Sequence, residues 1–350
     1  MAAIRFRDDD PALDAFYAQL GDADLQPLWR LQGLLTPRPS VATRPFRWRA
    51  AVLRELAARS GELVGLDRGG DRRVLACANP GLGGAPFASS TMWAGVQFLG
   101  PGESAPAHRH SPAALRFVLD GEGVWTLVDS DPLHMARGDL VLTPSMTFHE
   151  HHNPGSQPMM WLDVLDLPVV AALDAVFYED GPAEEADPRM ADRSDSEHRY
   201  GGGPGLLPAV AGKQRQPGRH SPLLAYRWAQ TDHALASLLA SDSARQAVVR
   251  YSNPVTGGDV MPTMRCEMTR VPAGGQSDTS RQTGSRIGSV LNGRGSVRIG
   301  PEAFDLVPGD VFVAPSWSTC QLQANAELDV FVTSDAPILE ALGLYREDAG

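Results

Sequence analysis

From Val74 onward the chain reads as short apolar or alternating runs (VLACA, MWAGVQFL, LRFVLDG, VWTLVD, DLVLTP, MMWLDVLDL) punctuated by Gly, Pro and Asp. Runs of that length between turn residues predict a β-sandwich or barrel. The N-terminal stretch differs. Ala12 to Leu20 and Arg49 to Arg59 place apolar residues at helical spacing and are rich in Ala, Leu and Arg, so residues 1–70 are expected to form a helical arm. Residues 71–177 make a first β unit. Residues 178–250 read as a linker and helical connection, with acidic residues, GGGPG and a basic, polar stretch between Tyr178 and Ser221, then a helical pattern from about His233 to Arg250. Strand texture returns over residues 251–350 in MRCEMTRV, IGSVLNG, GSVRIG, DVFVAP and ELDVFVTS.

The two β units echo each other. FVLDGEG ends at Gly123 and SVLNGRG at Gly295, 172 residues on, while GDLVLTPS starts at Gly138 and GDVFVAPS at Gly309, 171 on. Two matches at nearly one offset predict an internal duplication.

Composition narrows the class. The 350 residues include 35 Gly and 28 Pro, too much punctuation for a helical bundle. A formal charge of -11 argues against a nucleic-acid groove or an anionic membrane as the main partner and leaves a small molecule. Cys77, Cys266 and Cys320 are too few and too scattered for a disulfide framework, which fits a reducing cytoplasm. Met1 to Asp10 carries acid where a secretory signal needs an apolar run, and Asp163, Asp166 and Asp174 interrupt the most apolar later stretch, so neither export nor a membrane span is expected.

Six of the nine histidines, His108, His110, His134, His149, His151 and His152, fall in the first β unit. His108 and His110 are two apart in a strand-like run and share one face, and His149 on a neighbouring strand can join them. Imidazole suits Fe, Zn, Cu and Ni, and three ligands leave coordination positions open, as in a catalytic site. The alternative is that clustered histidines merely line a polar surface. His151 shares the face of His149 about 7 Å further along, at a rise near 3.4 Å per residue, so it suits acid/base work beside a metal better than ligation. His152 and Glu150 point the other way and are expected at solvent or an interface. Arg116 lies an even number of residues after His110 and faces inward, where a carboxylate substrate would match it better than a structural ion pair. Asp163 is a candidate to hold His151 in its working tautomer. Trp93 and Gln97 share one strand face, and a buried amide such as Gln97 wants a partner.

The spacing around these residues resembles the cupin family. Gly102, His108-Arg109-His110 and Gly121 match its first motif, and Gly138, Pro144, His149 and Asn153 its second. The resemblance implies a mainly β bicupin, two double-stranded β-helix (jelly-roll) barrels with the helical arm in front, and metal at His108, His110 and His149. Many cupins add a Glu ligand shortly after the HxH, but Ala114 and Leu115 stand there. A divalent ion held by three neutral imidazoles keeps its full charge and favours an anionic bidentate substrate, such as a carboxylate beside a phenolate.

The wider string PGESAPAHRHSPAALRFVLDGEGVWTLVD, with GDLVLTPSMTFHEHHN, WLDVLDLP and ALGLYRE, is similar to the gentisate 1,2-dioxygenase family, which includes enzymes cleaving salicylate, 5-nitrosalicylate and 1-hydroxy-2-naphthoate. That resemblance implies one Fe(II) per chain, O2 as co-substrate, and cleavage between the carboxyl-bearing and hydroxyl-bearing ring carbons of gentisate or another 5-substituted salicylate. It also implies a cytoplasmic homotetramer and a pocket lined by Arg72, Trp93, Gln97, Arg116, His151 and Asp163, with Arg73 competing with Arg72 for its place. The repeat offset puts Ser280-Arg281-Gln282, Cys320 and Gly288 where the first copy has its HRH, His149 and Arg116, so the second barrel is expected to have lost its metal. Two other readings stay open: a cupin isomerase or hydrolase using Zn, Ni or Mn, and a non-catalytic binding bicupin.

Overall fold

A computed structural model of the chain describes residues 10–31, 33–65, 68, 73–181, 194–203, 206–208, 218–240 and 245–349. The chain divides into two compact units, Met1–Ser40 and Val41–Gly350. In the first, the Asp10 carboxylate accepts from the Ala12 amide at 2.9 Å and caps helix α1 (Pro11–Asp22), whose first position is a proline. Trp29 donates its indole N–H to the Tyr17 hydroxyl at 3.1 Å.

The larger unit opens with strand β1 (Phe46–Trp48) and helix α2 (Ala50–Leu63). The first barrel follows: β2 (Val74–Ala76), β3 (Trp93–Leu99), β4 (Ser104–His110), β5 (Ala114–Asp120), β6 (Glu122–Val128), β7 (Asp131–Ala136), β8 (Leu140–Thr143), β9 (His149–His152), β10 (Met159–Leu165), helix α3 (Leu167–Ala172) and β11 (Tyr178–Asp180). Helix α4 (Asp195–Tyr200), β12 (Ala225–Tyr226) and helix α5 (Trp228–Leu239) lead onward. The second barrel is β13 (Ala247–Tyr251), β14 (Arg265–Val271), β15 (Ser280–Gln282), β16 (Arg286–Asn292), β17 (Gly295–Ile299), β18 (Glu302–Leu306), β19 (Val311–Ala314), β20 (Cys320–Ala324), β21 (Leu328–Ser334), helix α6 (Ala336–Ala341) and β22 (Glu347–Ala349).

The duplication is visible strand by strand. The first barrel's sheets run β12-β8-β5-β10-β3-β2 and β11-β4-β9-β6-β7, and the second repeats this order as β1-β19-β16-β21-β14-β13 and β22-β15-β20-β17-β18. Each six-stranded sheet takes one edge strand from the segment that precedes the other barrel. β1 pairs with β19, and β12 pairs with β8. Matching aspartates receive the exchanged segments: Asp310 accepts from the Ala50 amide at 2.6 Å, and Asp139 from the Trp228 amide at 2.9 Å and from Arg227 Nη1 at 2.7 Å. A second reciprocal clasp joins the barrels. Asp166 takes the Ala113 amide at 2.8 Å and the Thr263 hydroxyl at 2.6 Å, and Asp335 takes the Ser285 amide at 2.9 Å and the Thr91 hydroxyl.

Two-residue periodicity divides the central strands between two interiors. On β5, Leu115, Phe117 and Leu119 enter one core with Leu162 and Val164 of β10 and with Met268, Ile287 and Phe331 of the second barrel. Phe117 stacks on Phe331 with ring centroids 4.2 Å apart. The alternate residues of β5 and β10, Ala114, Arg116, Asp163 and Leu165, turn into the first barrel. Four short strands lie where other structure was expected. β1 falls within the segment read as a helical arm, and β11, β12 and β13 within the segment read as a linker and helical connection, because strands of two to five residues are too short to establish an alternation and owe their form to the sheets they join. Much of the expected linker, residues 182–193 and 209–217, lies outside the described residues.

Candidate active site

β4 and β9 are hydrogen-bonded neighbours with His108 opposite His149, so alternation along β4 puts His108, His110 and His149 on one inner face. Their ring centroids are 4.3 Å (His108 to His149), 4.9 Å (His110 to His149) and 5.7 Å (His108 to His110) apart, and their ligand nitrogens lie within 4.8 Å of one another. Each Nδ1 sits against a backbone carbonyl: Pro106 at 3.0 Å, Pro112 at 2.7 Å and Thr147 at 3.0 Å. A ring donating from Nδ1 carries its lone pair on Nε2, the tautomer a metal needs. His149 Nε2 is buried and makes no hydrogen bond, an arrangement that is costly for a polar atom but natural for a ligand. Burial first, then the Arg116 charge and the other two imidazoles, holds the His149 pKa well below the ordinary histidine value, so the ring is neutral. The donor set fits a divalent metal with open positions.

The triad opens on a cavity of about 130 Å³ lined by Val74, Trp93, Gln97, Ala105, Ala114, Arg116, His151, Asp163 and Leu165. Arg116 and Asp163 face each other across β5 and β10, with Nε 3.2 Å from Oδ1 but off the hydrogen-bonding axis, so they form an ion pair that leaves both atoms without a hydrogen bond. Arg116 also donates to the Thr143 hydroxyl. Burial pushes the Asp163 carboxyl up to about 6, against the opposing pull of Arg116 and of the Trp161 indole N–H at 3.1 Å. His151 is fully buried and held well below its usual pKa, by burial first and by Arg116 next, and so is neutral.

Eight of the nine site residues expected from sequence, Trp93, Gln97, His108, His110, Arg116, His149, His151 and Asp163, line this one cavity. Two details differ, and one expected residue lies outside the described ones. His151 Nδ1 meets the Thr126 hydroxyl at 2.8 Å, whereas Asp163 is engaged by Arg116 and Trp161, so the partner that orients the His151 ring is Thr126 and not Asp163. Thr126 lies directly opposite His151 on β6, a pairing visible only once the register is known. His152 and Glu150 are largely buried rather than at solvent, because the sheet's other face is covered too: His152 Nδ1 meets the Ser104 hydroxyl at 3.0 Å and its Nε2 lies 3.4 Å from Glu150. Arg72 lies outside the described residues, while Arg73 is committed to an ion pair with Glu103 and to the Val64 carbonyl at 3.0 Å. Gly95 was not singled out, yet a Cβ there would come within 2.5 Å of the Trp93 ring and 2.7 Å of Val74, so its missing side chain makes room for the indole.

The second barrel keeps the register without the donors. Ser280 pairs with Cys320 as His108 pairs with His149, and among the described residues only the first-barrel histidines form a group able to hold a metal. Gly288 replaces Arg116, and the Phe312 ring occupies the space beside it.

A Cupin domain model matches residues 95–165, the segment carrying all three histidines of the cluster. The gentisate 1,2-dioxygenase of a Streptomyces species is 48% identical over 347 residues, covering 97% of this chain and 96% of the relative. The 5-aminosalicylate 1,2-dioxygenase of a Comamonas species is 33% identical over 96% of this chain and 90% of its own length. The salicylate 1,2-dioxygenase of Pseudoaminobacter salicylatoxidans, in a crystal structure of its adducts with gentisate, superposes with a TM-score of 0.93 at 44% identity over 99% of this chain and 96% of that one. With likeness over nearly its whole length and a three-histidine site in its first barrel, the chain belongs to the gentisate 1,2-dioxygenase family of cupin ring-cleaving dioxygenases.

Proposed function

We propose that the chain cleaves gentisate or another 5-substituted salicylate, such as 5-nitrosalicylate, between the carboxyl- and hydroxyl-bearing carbons, using one Fe(II) per chain at His108, His110 and His149 and O2 as co-substrate. The observation that carries this reading is a carboxylate-free cluster of three imidazoles opening on a small cavity with a buried arginine in its wall. When bound, Fe(II) would supply Lewis acidity toward the substrate oxygens and redox chemistry with dioxygen.

The protein's own groups hold and neutralise the ring acid. Arg116 receives the substrate carboxylate, and Asp163 positions the guanidinium from the opposite strand. The Nε2 of neutral His151 takes the phenolic proton, while Thr126 keeps its Nδ1 occupied. Trp93 flanks the ring, Gln97 offers its amide to a ring substituent, and Arg72 is a second cation for the substrate by family resemblance. A cavity of about 130 Å³ is of the order that accommodates a benzene ring, which favours one ring over the fused pair of 1-hydroxy-2-naphthoate.

Oxygen consumption by protein loaded anaerobically with Fe(II) tests this against gentisate, salicylate, 5-nitrosalicylate and 1-hydroxy-2-naphthoate. A single-ring 5-substituted acid should give the fastest uptake. Uptake with none of them at one bound iron per chain, or equal turnover with zinc, would instead favour the non-oxidative cupin reading. Among the described residues no helix is long and apolar enough to cross a membrane. The same reading takes the protein to be a cytoplasmic homotetramer, which sedimentation and cell fractionation check.

A further inference from the structure

The second barrel has lost its histidines but not its hollow. A cavity of about 450 Å³ lies there, larger than the one at the triad and within the range of small-molecule sites. Ser280, Gln282 and Cys320, standing in the register of the three histidines, line it. Val248, Phe312, Leu322 and Val332 give it apolar walls. Its cation has moved rather than vanished. On β16, Gly288 stands where β5 has Arg116, and Arg286 stands two residues earlier on the same strand face, about 7 Å along the strand. Arg286 donates to the Ser280 hydroxyl at 3.0 Å and, at 3.3 and 3.4 Å, to the Ser318 and Ser280 carbonyls, all neutral oxygens. The acids of the same cavity are otherwise engaged: Glu267 with Arg250 at 3.0 Å, and the exposed Asp278 and Glu347 with Gln246 and the Tyr345 hydroxyl. Among the described residues this half-buried guanidinium has no carboxylate partner, and beside an apolar wall it matches a ligand with an anionic head and an apolar body.

We infer that the second barrel is a binding site for a small organic carboxylate, anchored by Arg286 and independent of metal. The site lies apart from the triad and does not depend on the reaction proposed there.

Cys320 supplies a local reporter, because Cys77 and Cys266 are completely buried. The rate of its alkylation by iodoacetamide is followed by peptide mass spectrometry in the full-length, iron-loaded chain, with benzoate as probe. Benzoate should slow the reaction at Cys320 in the parent and equally in Arg116→Gln. Arg286→Gln should need at least about tenfold more benzoate for the same protection, the loss expected for one charge-assisted anchor, and Arg286→Lys should fall between. Undiminished protection in Arg286→Gln, or none in the parent, overturns the inference. Should Arg286→Gln fail to fold, parent crystals soaked in 4-bromobenzoate decide: bromine beside Arg286 supports the site, and bromine in the first barrel alone, or in neither, overturns it.

Discussion

His151 presents Nε2 to the cavity because Thr126 occupies Nδ1, so removing that hydroxyl loosens the ring without removing it. Thr126→Val should lower kcat by about 10- to 100-fold while leaving iron content and KM nearly unchanged, as loss of an orienting partner does, and steady-state kinetics with metal analysis check this. Arg116 and Asp163 make a different experiment. Both are buried, so Arg116→Gln leaves a carboxyl without its counter-charge and should cost on the order of 3 kcal/mol of stability by chemical denaturation. The double variant Arg116→Gln with Asp163→Asn should regain most of that stability yet keep a KM raised about tenfold or more, separating the structural part of the pair from its part in substrate binding. At this scale much was legible. HRH, His149 and an Asp inside the apolar run WLDVL are polar residues where alternation demands an inward face. The partners were not legible, since Thr126 meets His151 only through a strand register that no local pattern encodes.

Each barrel is completed by pieces that arrive from elsewhere in the chain. The strands β1 and β12 are two or three residues long, and their places come from the aspartates that receive them, Asp310 and Asp139, rather than from their own propensity. The longer strands could be read directly because both of their faces are buried, which turns alternation into near-continuous apolar runs broken only where a side chain enters the cavity. The clasps ahead of α3 and α6 add a pH signature. Burial raises the Asp335 carboxyl to about 6, above its ordinary value of 3.8, so the folded chain keeps a proton there that the unfolded chain releases at lower pH. The associated stability is fully present below about pH 4 and is lost as pH rises through about 6. Asp335→Asn should therefore remove about 1 kcal/mol of the loss of unfolding free energy between pH 5 and 7.5, measured by denaturant titration at both values. An unchanged pH dependence would mean that Asp335 does not hold its proton.

The two barrels share one apolar core, exchange edge strands and clasp each other through matched aspartates, so residues 41–350 should unfold as one body. A fragment spanning residues 41–181 lacks β12 and leaves Leu115, Phe117 and Leu162 facing water; it should show no cooperative thermal transition, whereas the full chain should show one by calorimetry. The internal repeat was readable from two short matches at nearly one offset, but the exchange was not, because β1 and β12 sit outside the matched strings. At this scale the duplication reads as a division of labour: one barrel carries the three histidines able to hold a metal, and its twin covers that barrel's outer face with Phe331 and its neighbours. On this proposal His108, His110 and His149 would hold the metal for a ring cleavage in which both atoms of dioxygen enter a salicylate-type acid. Mass spectrometry of the product formed under ¹⁸O₂ by the iron-loaded protein acting on gentisate tests it most directly. Two labelled oxygens in a ring-opened acid, with no product from His149→Ala, are the expected result, and oxygen drawn from water or undiminished turnover by that variant would contradict it.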